Sequence, residues 1–400
     1  MGCRPLLLEL IAWAIALPIS GSLVIFLAET TFGIPSAHSR RRSTPTIVRV
    51  VLLMPAHNEA ASIAMIIAKL GPILSESVSL LVVADNCTDA TAQIARDAGA
   101  TVIERTDALQ RGKGFALAFG RDHLRADPPD CVIVFDADCE SEPASIAALA
   151  AEAMARNAPV QACYLMQPDR TATPMVQISN FAFWLKNRVR QRGSARLGAA
   201  AILTGTGMAF PYALFADARL ATSNIVEDLG LGIDLTKAGF PPIYLDQAKV
   251  WSAAAGHDDT LAQRTRWEHG FIAMARRHGL GSIGYALRHG NWKIAMLGAH
   301  LLVPPLTLLM TTGVVALVIL AALCWLGGPL APLWLLSALL TGAILAIFVA
   351  WAKEGQPWLA PKTLLMLPFY VAWKIPVFLK LVRAPQTQWN RTERSGQDID

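Results

Sequence analysis

Charge is scarce in this chain of 400 residues: Asp, Glu, Lys and Arg together make up 16% of it. That is too little for an ordinary soluble enzyme. With 54% hydrophobic residues and positive mean hydropathy, the composition predicts a folded domain joined to membrane segments. Charge of one sign is lacking too, since 35 Lys and Arg face 30 Asp and Glu for a net +5, and this excludes the basic face that a nucleic-acid partner needs. The clustered arginines at 40–42 suit a membrane surface better. The six cysteines at 3, 87, 131, 139, 163 and 324 have neither metal-ligand spacing nor disulfide density, which suits a reducing compartment, and all six read as buried or incidental. There is no internal repeat and no low-complexity tract. Arg111-Gly112-Lys113-Gly114 lacks the length and order of a P-loop, so an ATPase of that type is excluded.

Long hydrophobic runs are present at both ends. Residues 6–28 are apolar apart from Glu9 and Pro18, long enough to cross about 30 Å of hydrocarbon as a helix. A signal peptide is the alternative, but its apolar core is shorter and no small-residue cleavage signature precedes the arginines. Because basic loops stay cytosolic, arginines 40–42 put the domain after them in the cytosol. Over 44–280 the chain changes character: runs at 47–54, 79–84, 100–104 and 131–135 read as strands, with helices such as 60–70 and 88–98 between them. Such alternation predicts an α/β fold with a doubly wound, parallel sheet.

The oily character returns within 281–400. Pro304-Pro305 divides residues 294–326 into a lead-in helix and a span at about 306–326; Gly327-Gly328-Pro329 turns the chain, and 331–352 spans again. Residues 363–382 contain Lys374, Lys380, Pro368 and Pro376, costly in mid-membrane, so an interfacial helix is expected there. Three spans leave the basic tail in the cytosol, whereas a fourth would violate the positive-inside rule. The expected plan is an N-terminal span and basic linker (1–43), a cytosolic α/β domain (44–280) and a membrane-associated remainder with a cytosolic tail (281–400).

Candidate chemistry gathers at strand ends. After the apolar run 132–135 come Asp136-Ala137-Asp138, two carboxylates that point alike from an extended chain and can address one hard cation. Standing alone, such a triplet is better explained as a solvated strand-end loop. Pro55 to Glu59 and Asp85 to Asp89 end the first two strands before helices, where Asn58, Glu59, Thr88 and Asp89 also suit helix caps. Asp85 is less easily explained as a cap and can accept hydrogen bonds from a nucleobase edge or ribose. Lys113 between two glycines can meet a phosphate as a point charge, or simply sit in a solvated turn. Glu227 and Asp228 repel one another, which raises a pKa and favours a base, although a helix start capped by Ser223 or Asn224 attracts acids too.

In this order the pieces resemble the nucleotide-sugar half of family 2 glycosyltransferases with the GT-A fold: Pro55–Glu59, Asp85–Asp89, Arg111–Gly114, then Asp136-Ala137-Asp138. Val226 to Gly232 looks like the family's Glu-Asp acceptor motif, and Gln263-Arg264-Thr265-Arg266-Trp267 matches the Q-x-x-R-W of membrane-bound members such as cellulose, chitin and hyaluronan synthases. The resemblance implies that Pro55, Glu59 and Asp85 hold a nucleoside, uridine by family likeness, that Lys113 and Asp136 contact the nucleotide sugar, and that Asp138 with Asp136 holds Mg²⁺ or Mn²⁺. It implies that Asp228 is the general base supported by Glu227, and that Gly205, in Thr204-Gly205-Thr206-Gly207-Met208, admits an acceptor sugar to the backbone. Gln263 and Arg266 would frame the diphosphate while Trp267 walls a sugar ring, although an interfacial helix with snorkelling arginine explains those three as well.

The implied activity is inverting, metal-dependent transfer from a UDP-sugar to a growing β-linked exopolysaccharide; the alternative is one sugar placed on a polyprenyl phosphate or glycolipid. The implied partners are a UDP-sugar, a glycan or lipid-linked acceptor, the lipid bilayer and, because the chain has fewer spans than the large processive synthases, a polysaccharide-export partner or a second copy. The implied location is the bacterial inner membrane. Val226 stands where many relatives carry threonine, a tolerable change. His57 and His269 lack partners at metal spacing and read as structural, and the tail Trp389 to Arg394 resembles a basic terminal motif of some membrane-bound relatives. A scaffold without catalysis conflicts with the intact Asp136, Asp138 and Asp228, and a channel conflicts with the long polar block between the spans.

Overall fold

Short runs of Val, Ile and Leu bounded by Asn, Gly and Asp make the strands of a computed structural model that describes residues 3–35, 48–221, 226–253 and 257–383. Eight strands form one sheet: β1 (Val50–Ala56), β2 (Val78–Asp85), β3 (Thr101–Arg105), β4 (Cys131–Val134), β5 (Cys139–Ser141), β6 (Val160–Met166), β7 (Met208–Pro211) and β8 (Ile243–Ser252). Their order is β3-β2-β1-β4-β7-β6-β8-β5. Helices such as Ile63–Leu70, Lys113–Leu124 and Pro143–Arg156 follow the strands, giving the GT-A-like α/β architecture. Alternate residues of β1 enter two cores: Leu52 and Met54 face one layer of helices, Val51 and Leu53 the other. That two-sided burial is why the strands read as unbroken apolar runs.

The parallel pairing expected from the alternation holds from β3 through β2 and β1 to β4. It is interrupted there, because β7 runs antiparallel to both β4 and β6, and it resumes between β6 and β8. This reversal matters for chemistry. It sets Met208 opposite Val134, so the loop entering β7 arrives at the end of β4, where Asp136 comes next in the chain.

Four helices are long and apolar enough to cross a membrane by length and composition: Leu6–Gly33, Leu306–Trp325, Ala331–Gly355 and Pro361–Leu381. The first three cover the segments expected to span, and Pro304-Pro305 lies between the lead-in helix Trp292–Leu301 and the second. The fourth covers the segment expected at the interface. Its Lys374, whose charge argued against hydrocarbon, is fully buried and donates to Glu268 at 2.5 Å. A paired charge of this kind no longer counts against burial. Arg40 to Arg42, Ser223 and Asn224, and the tail motif at 389–394 lie outside the described residues.

The N-terminal helix is locked to the sheet domain by charge. Glu29, wholly buried, accepts from Arg190 at 2.6 and 2.8 Å, from Ser194 at 2.8 Å, and lies 2.7 Å from His300 of the lead-in helix. Close approach is possible because Gly193 has no side chain: a Cβ there would fall 1.7 Å from the Glu29 carbonyl oxygen. The three described cysteines of the sheet, at 131, 139 and 163, are buried and free, while Cys87 and Cys324 are partly exposed and free.

Candidate active site

The turns after β1 and β2 are built by asparagine. Asn58 and Asn86 hold φ of 55° and 53°, a left-handed conformation that asparagine tolerates better than most residues. Asn58 then joins the two turns, its Oδ1 accepting from the Thr88 amide at 2.7 Å. Thr88 does not cap the next helix, which starts at Thr91; Asp89 instead accepts from the Thr91 and Ala60 amides at 3.0 and 3.2 Å. Glu59 is held beside them by Ser62 Oγ at 3.0 Å, and the partly buried Pro55 pairs with Val83 in the ladder. Asp85, at the end of β2, is buried and accepts from Arg105 at 2.7 Å. His57 lies 2.7 Å from the Asp85 carbonyl oxygen, which satisfies the structural role expected for it.

Asp136 and Asp138 leave β4 on one side. Their carboxylate oxygens and Cys139 Sγ lie within 4.8 Å of one another. A hard divalent cation fits the two carboxylates, with the remaining positions open to phosphate oxygens and water. The Cys139 thiol is a poor third ligand for such an ion, because burial pushes its pKa well up and keeps it protonated.

Lys113, at the start of the Lys113–Leu124 helix, bonds the Asp136 carboxylate and donates to the Gly205 carbonyl oxygen at 2.8 Å. Burial opposes its charge, but Asp136 and then Glu227 outweigh burial and raise its pKa. Gly205 has φ +87°, and a Cβ there would lie 3.3 Å from Lys113 Nζ and 3.4 Å from Asp228 Oδ2. The loop entering β7 thus bridges the carboxylates after β4 and the Glu-Asp pair. Thr206 Oγ1 fixes its other side by accepting from the Asp136 amide at 3.1 Å.

Glu227 and Asp228 open the helix Glu227–Lys237, which has no side-chain cap. Asp228 Oδ1 accepts from the Leu229 amide at 2.8 Å. Burial, then the Asp228 charge, pushes Glu227 up to about 8, and burial raises Asp228 as well. Near neutrality the pair therefore retains a proton that its two carboxylates share.

Beside Asp228 lies a cavity whose far wall comes from the long apolar helices, through Phe26, Leu306 and Tyr370, and from Val303 in the bend before Leu306. The helix His257–His289 contributes Arg264, Trp267, Glu268 and Phe271, one face by helical spacing. Trp267 lies with its ring tilted 31° to that of Phe183, centroids 5.5 Å apart, and so forms part of an apolar wall. Gln263 and Arg266 are partly buried on the adjacent face of that helix and do not line the cavity. Arg264, Lys186 and Tyr164 do line it and were not among the expected site residues. The helical offset from Trp267 to Arg264 could have flagged the arginine; nothing local marks Lys186 or Tyr164. His269 lies 3.0 Å from the Val377 carbonyl oxygen, a structural contact to the C-terminal helix.

Comparison with known proteins agrees with this geometry. Residues 48–270, more than half of the chain, match the family described as glycosyltransferase like family 2. The protein belongs to that family and is a glycosyltransferase. Among curated proteins none matches the chain. Among solved structures it is similar to the mannosyltransferase PcManGT from Pyrobaculum calidifontis in complex with GDP-Man and Mn²⁺, at 18% identity and a TM-score of 0.58 over 95% of this chain and 100% of that one. It is also similar to glucosyl-3-phosphoglycerate synthase from Mycobacterium tuberculosis in complex with Mn²⁺, UDP and glucosyl-3-phosphoglycerate, at 19% identity and a TM-score of 0.41 over 61% and 88%.

Proposed function

We propose that the protein transfers one sugar, with inversion, from a UDP-sugar to a lipid-linked acceptor that enters from the membrane. The carrying observation is the cavity that joins Asp228 to an apolar wall made by Phe26 and Leu306 of the long apolar helices and by Val303 in the bend just before Leu306. An acceptor on an apolar stem fills such a space, whereas a water-borne glycan has no use for the apolar half. Of the two activities implied by sequence, the geometry therefore supports the lipid acceptor over extension of an exopolysaccharide.

Asp85 and Glu59 lie at the mouth of the sheet where a nucleoside binds in open α/β folds, and uridine remains the base assigned by family resemblance. Asp136 and Asp138 would hold Mg²⁺ or Mn²⁺, which would neutralise charge developing on the diphosphate as the sugar departs. Lys113 balances Asp136 and stands ready for the same phosphates. The acceptor hydroxyl attacks the anomeric carbon while its proton passes to Asp228; the bond from that carbon to the diphosphate breaks, and its electron pair leaves with UDP. Inversion follows from one direct displacement with one base and no sugar-linked nucleophile. Burial beside Glu227 supports Asp228 in this role by bringing its pKa towards neutrality. With the arginines of 40–42 read as cytosolic, the site faces the cytosol of a bacterial inner membrane, where UDP-sugars are made.

The test is to incubate enzyme-bearing membranes with radiolabelled UDP-sugar and extract them with organic solvent. A single-sugar lipid is expected. Label accumulating in long water-soluble glycan would instead establish polysaccharide extension.

A further inference from the structure

The cavity beside Asp228 carries positive charge for which the transfer step has no use. Lys186 lines it with its ammonium 4.9 Å from the centroid of the Phe271 ring, and among the described residues no carboxylate pairs with it. Arg264 is buried yet, among the described residues, donates only to neutral oxygens, Ser179 Oγ at 2.8 Å and Asn180 Oδ1 at 3.2 Å. Its guanidinium lies 4.7 and 4.9 Å from the ring centroids of Phe183 and Trp267. Of the acids nearby, Glu268 pairs with Lys374, while Asp228, whose Oδ1 accepts from the Leu229 amide, offsets part of the Lys186 charge from a distance without pairing with it. Arg190, a third cation in the lining, is neutralised by Glu29. Burial pushes the Lys186 ammonium down to about 8, the mark of a cation held away from water without a partner. The helix Leu306–Trp325 also begins at this wall with no side-chain cap, so its first amides add positive field.

One buried and one half-buried cation without a paired carboxylate are stabilised when a ligand brings the anion. A general base calls for a hydroxyl nucleophile, since an ionised phosphate oxygen has no proton to remove. The apolar wall calls for a lipid stem. We propose that the acceptor is an anionic, phosphate-bearing lipid that also carries the attacking hydroxyl, with Lys186 and Arg264 gripping the phosphate while the hydroxyl faces Asp228. The lipid phosphate is unchanged by the reaction: a C–O bond forms from its hydroxyl to the anomeric carbon, the bond to the donor diphosphate breaks, and the proton goes to Asp228. This rests on the lipid-acceptor reading above and adds the charge and the nucleophile to it.

The test uses full-length enzyme in its membranes with radiolabelled UDP-sugar. The organic-phase product is passed over an anion exchanger and then exposed to mild acid. Retention on the exchanger together with resistance to mild acid is expected, because the product is an anionic glycoside. A neutral labelled lipid in the flow-through overturns this proposal while leaving the lipid-acceptor reading intact. Label freed by mild acid shows that the phosphate itself was glycosylated and overturns it as well. Label confined to water-soluble polymer overturns both.

Variants assign the residues. Lys186→Gln is expected to raise the acceptor KM about ten-fold or more while the donor KM moves less than about two-fold, and Lys186→Arg should restore most of the affinity. A rise in donor KM instead would show that these cations hold the donor diphosphate. The product's charge is read on wild-type enzyme, so a poorly folding variant cannot mask the answer.

Discussion

Gly205→Ala should injure activity more than folding, and the structure gives the size of both effects. At φ +87° an alanine is strained, by roughly 1–2 kcal/mol for an L residue in the left-handed region. The new methyl would sit 3.3 Å from Lys113 Nζ and 3.4 Å from Asp228 Oδ2. Both neighbours are tight, and the lysine, as the far end of a flexible side chain, moves first. Its bond to the Gly205 carbonyl oxygen, 2.8 Å long, then weakens together with its hold on Asp136. A charge-assisted hydrogen bond contributes about 1.5–3 kcal/mol, which converts to a loss of roughly 10- to 100-fold in kcat/KM. Backbone strain alone predicts a fall of about 2–8 °C in the thermal unfolding midpoint. UDP release measured against donor concentration reads the first effect, and tryptophan fluorescence on heating in detergent reads the second. Wild-type kcat/KM in a folded Gly205→Ala protein would refute the reasoning, because this glycine would then not lie between the lysine and the base.

Asp228→Asn is expected to lower kcat by about a hundred-fold or more, whereas Glu227→Gln keeps most activity; equal losses in a pH-rate series would deny Asp228 the role of base. Glu227 also predicts how stability changes with pH. The folded protein keeps that proton up to about 8 whereas the unfolded chain releases it near 4.5, so the folded state binds more protons in between and stability falls as pH rises through this window. Glu227→Gln should flatten that fall, and chemical denaturation at several pH values checks it. Removing the buried carboxylate in Glu29→Ala leaves Arg190 without its anion, which should cost about 3–5 kcal/mol and release the N-terminal helix from the domain, as seen by faster limited proteolysis. Cys139→Ala should leave the Mn²⁺ concentration for half-maximal rate unchanged within about two-fold, since a protonated thiol is no ligand for a hard cation.

Local signals carried most of the fold. The apolar runs around 50–54, 79–84 and 131–134 are strands because both faces of the sheet are covered, and uninterrupted Val, Ile and Leu record that directly. The antiparallel β7 was not legible: a four-residue strand has too few side chains to show its direction, which is set by pairing with distant β4. The site divided in the same manner. Asp136, Asp138, Asp85 and Asp228 stand at element ends where motif and position coincide. Lys186 and Tyr164 join the cavity only because a separate helix and β6 fold against it, and convergence of that kind leaves no spacing to read, whereas Arg264 is legible from its helical offset to Trp267. For the segment at 363–382, charge was weighed without its partner, and Lys374 shows what that omits, since Glu268 lies 106 residues away.

The account rests on a cation held by Asp138 and Asp136 within reach of Lys113, Gly205 and Asp228. Its most direct test is UDP release from a panel of UDP- and GDP-sugars by the full-length enzyme, with Mn²⁺ and with chelator, in wild type and in Asp138→Asn. The account predicts release from a UDP-sugar that is abolished by chelation, restored by added Mn²⁺ and lost in the variant. Release that survives both chelation and Asp138→Asn would contradict it.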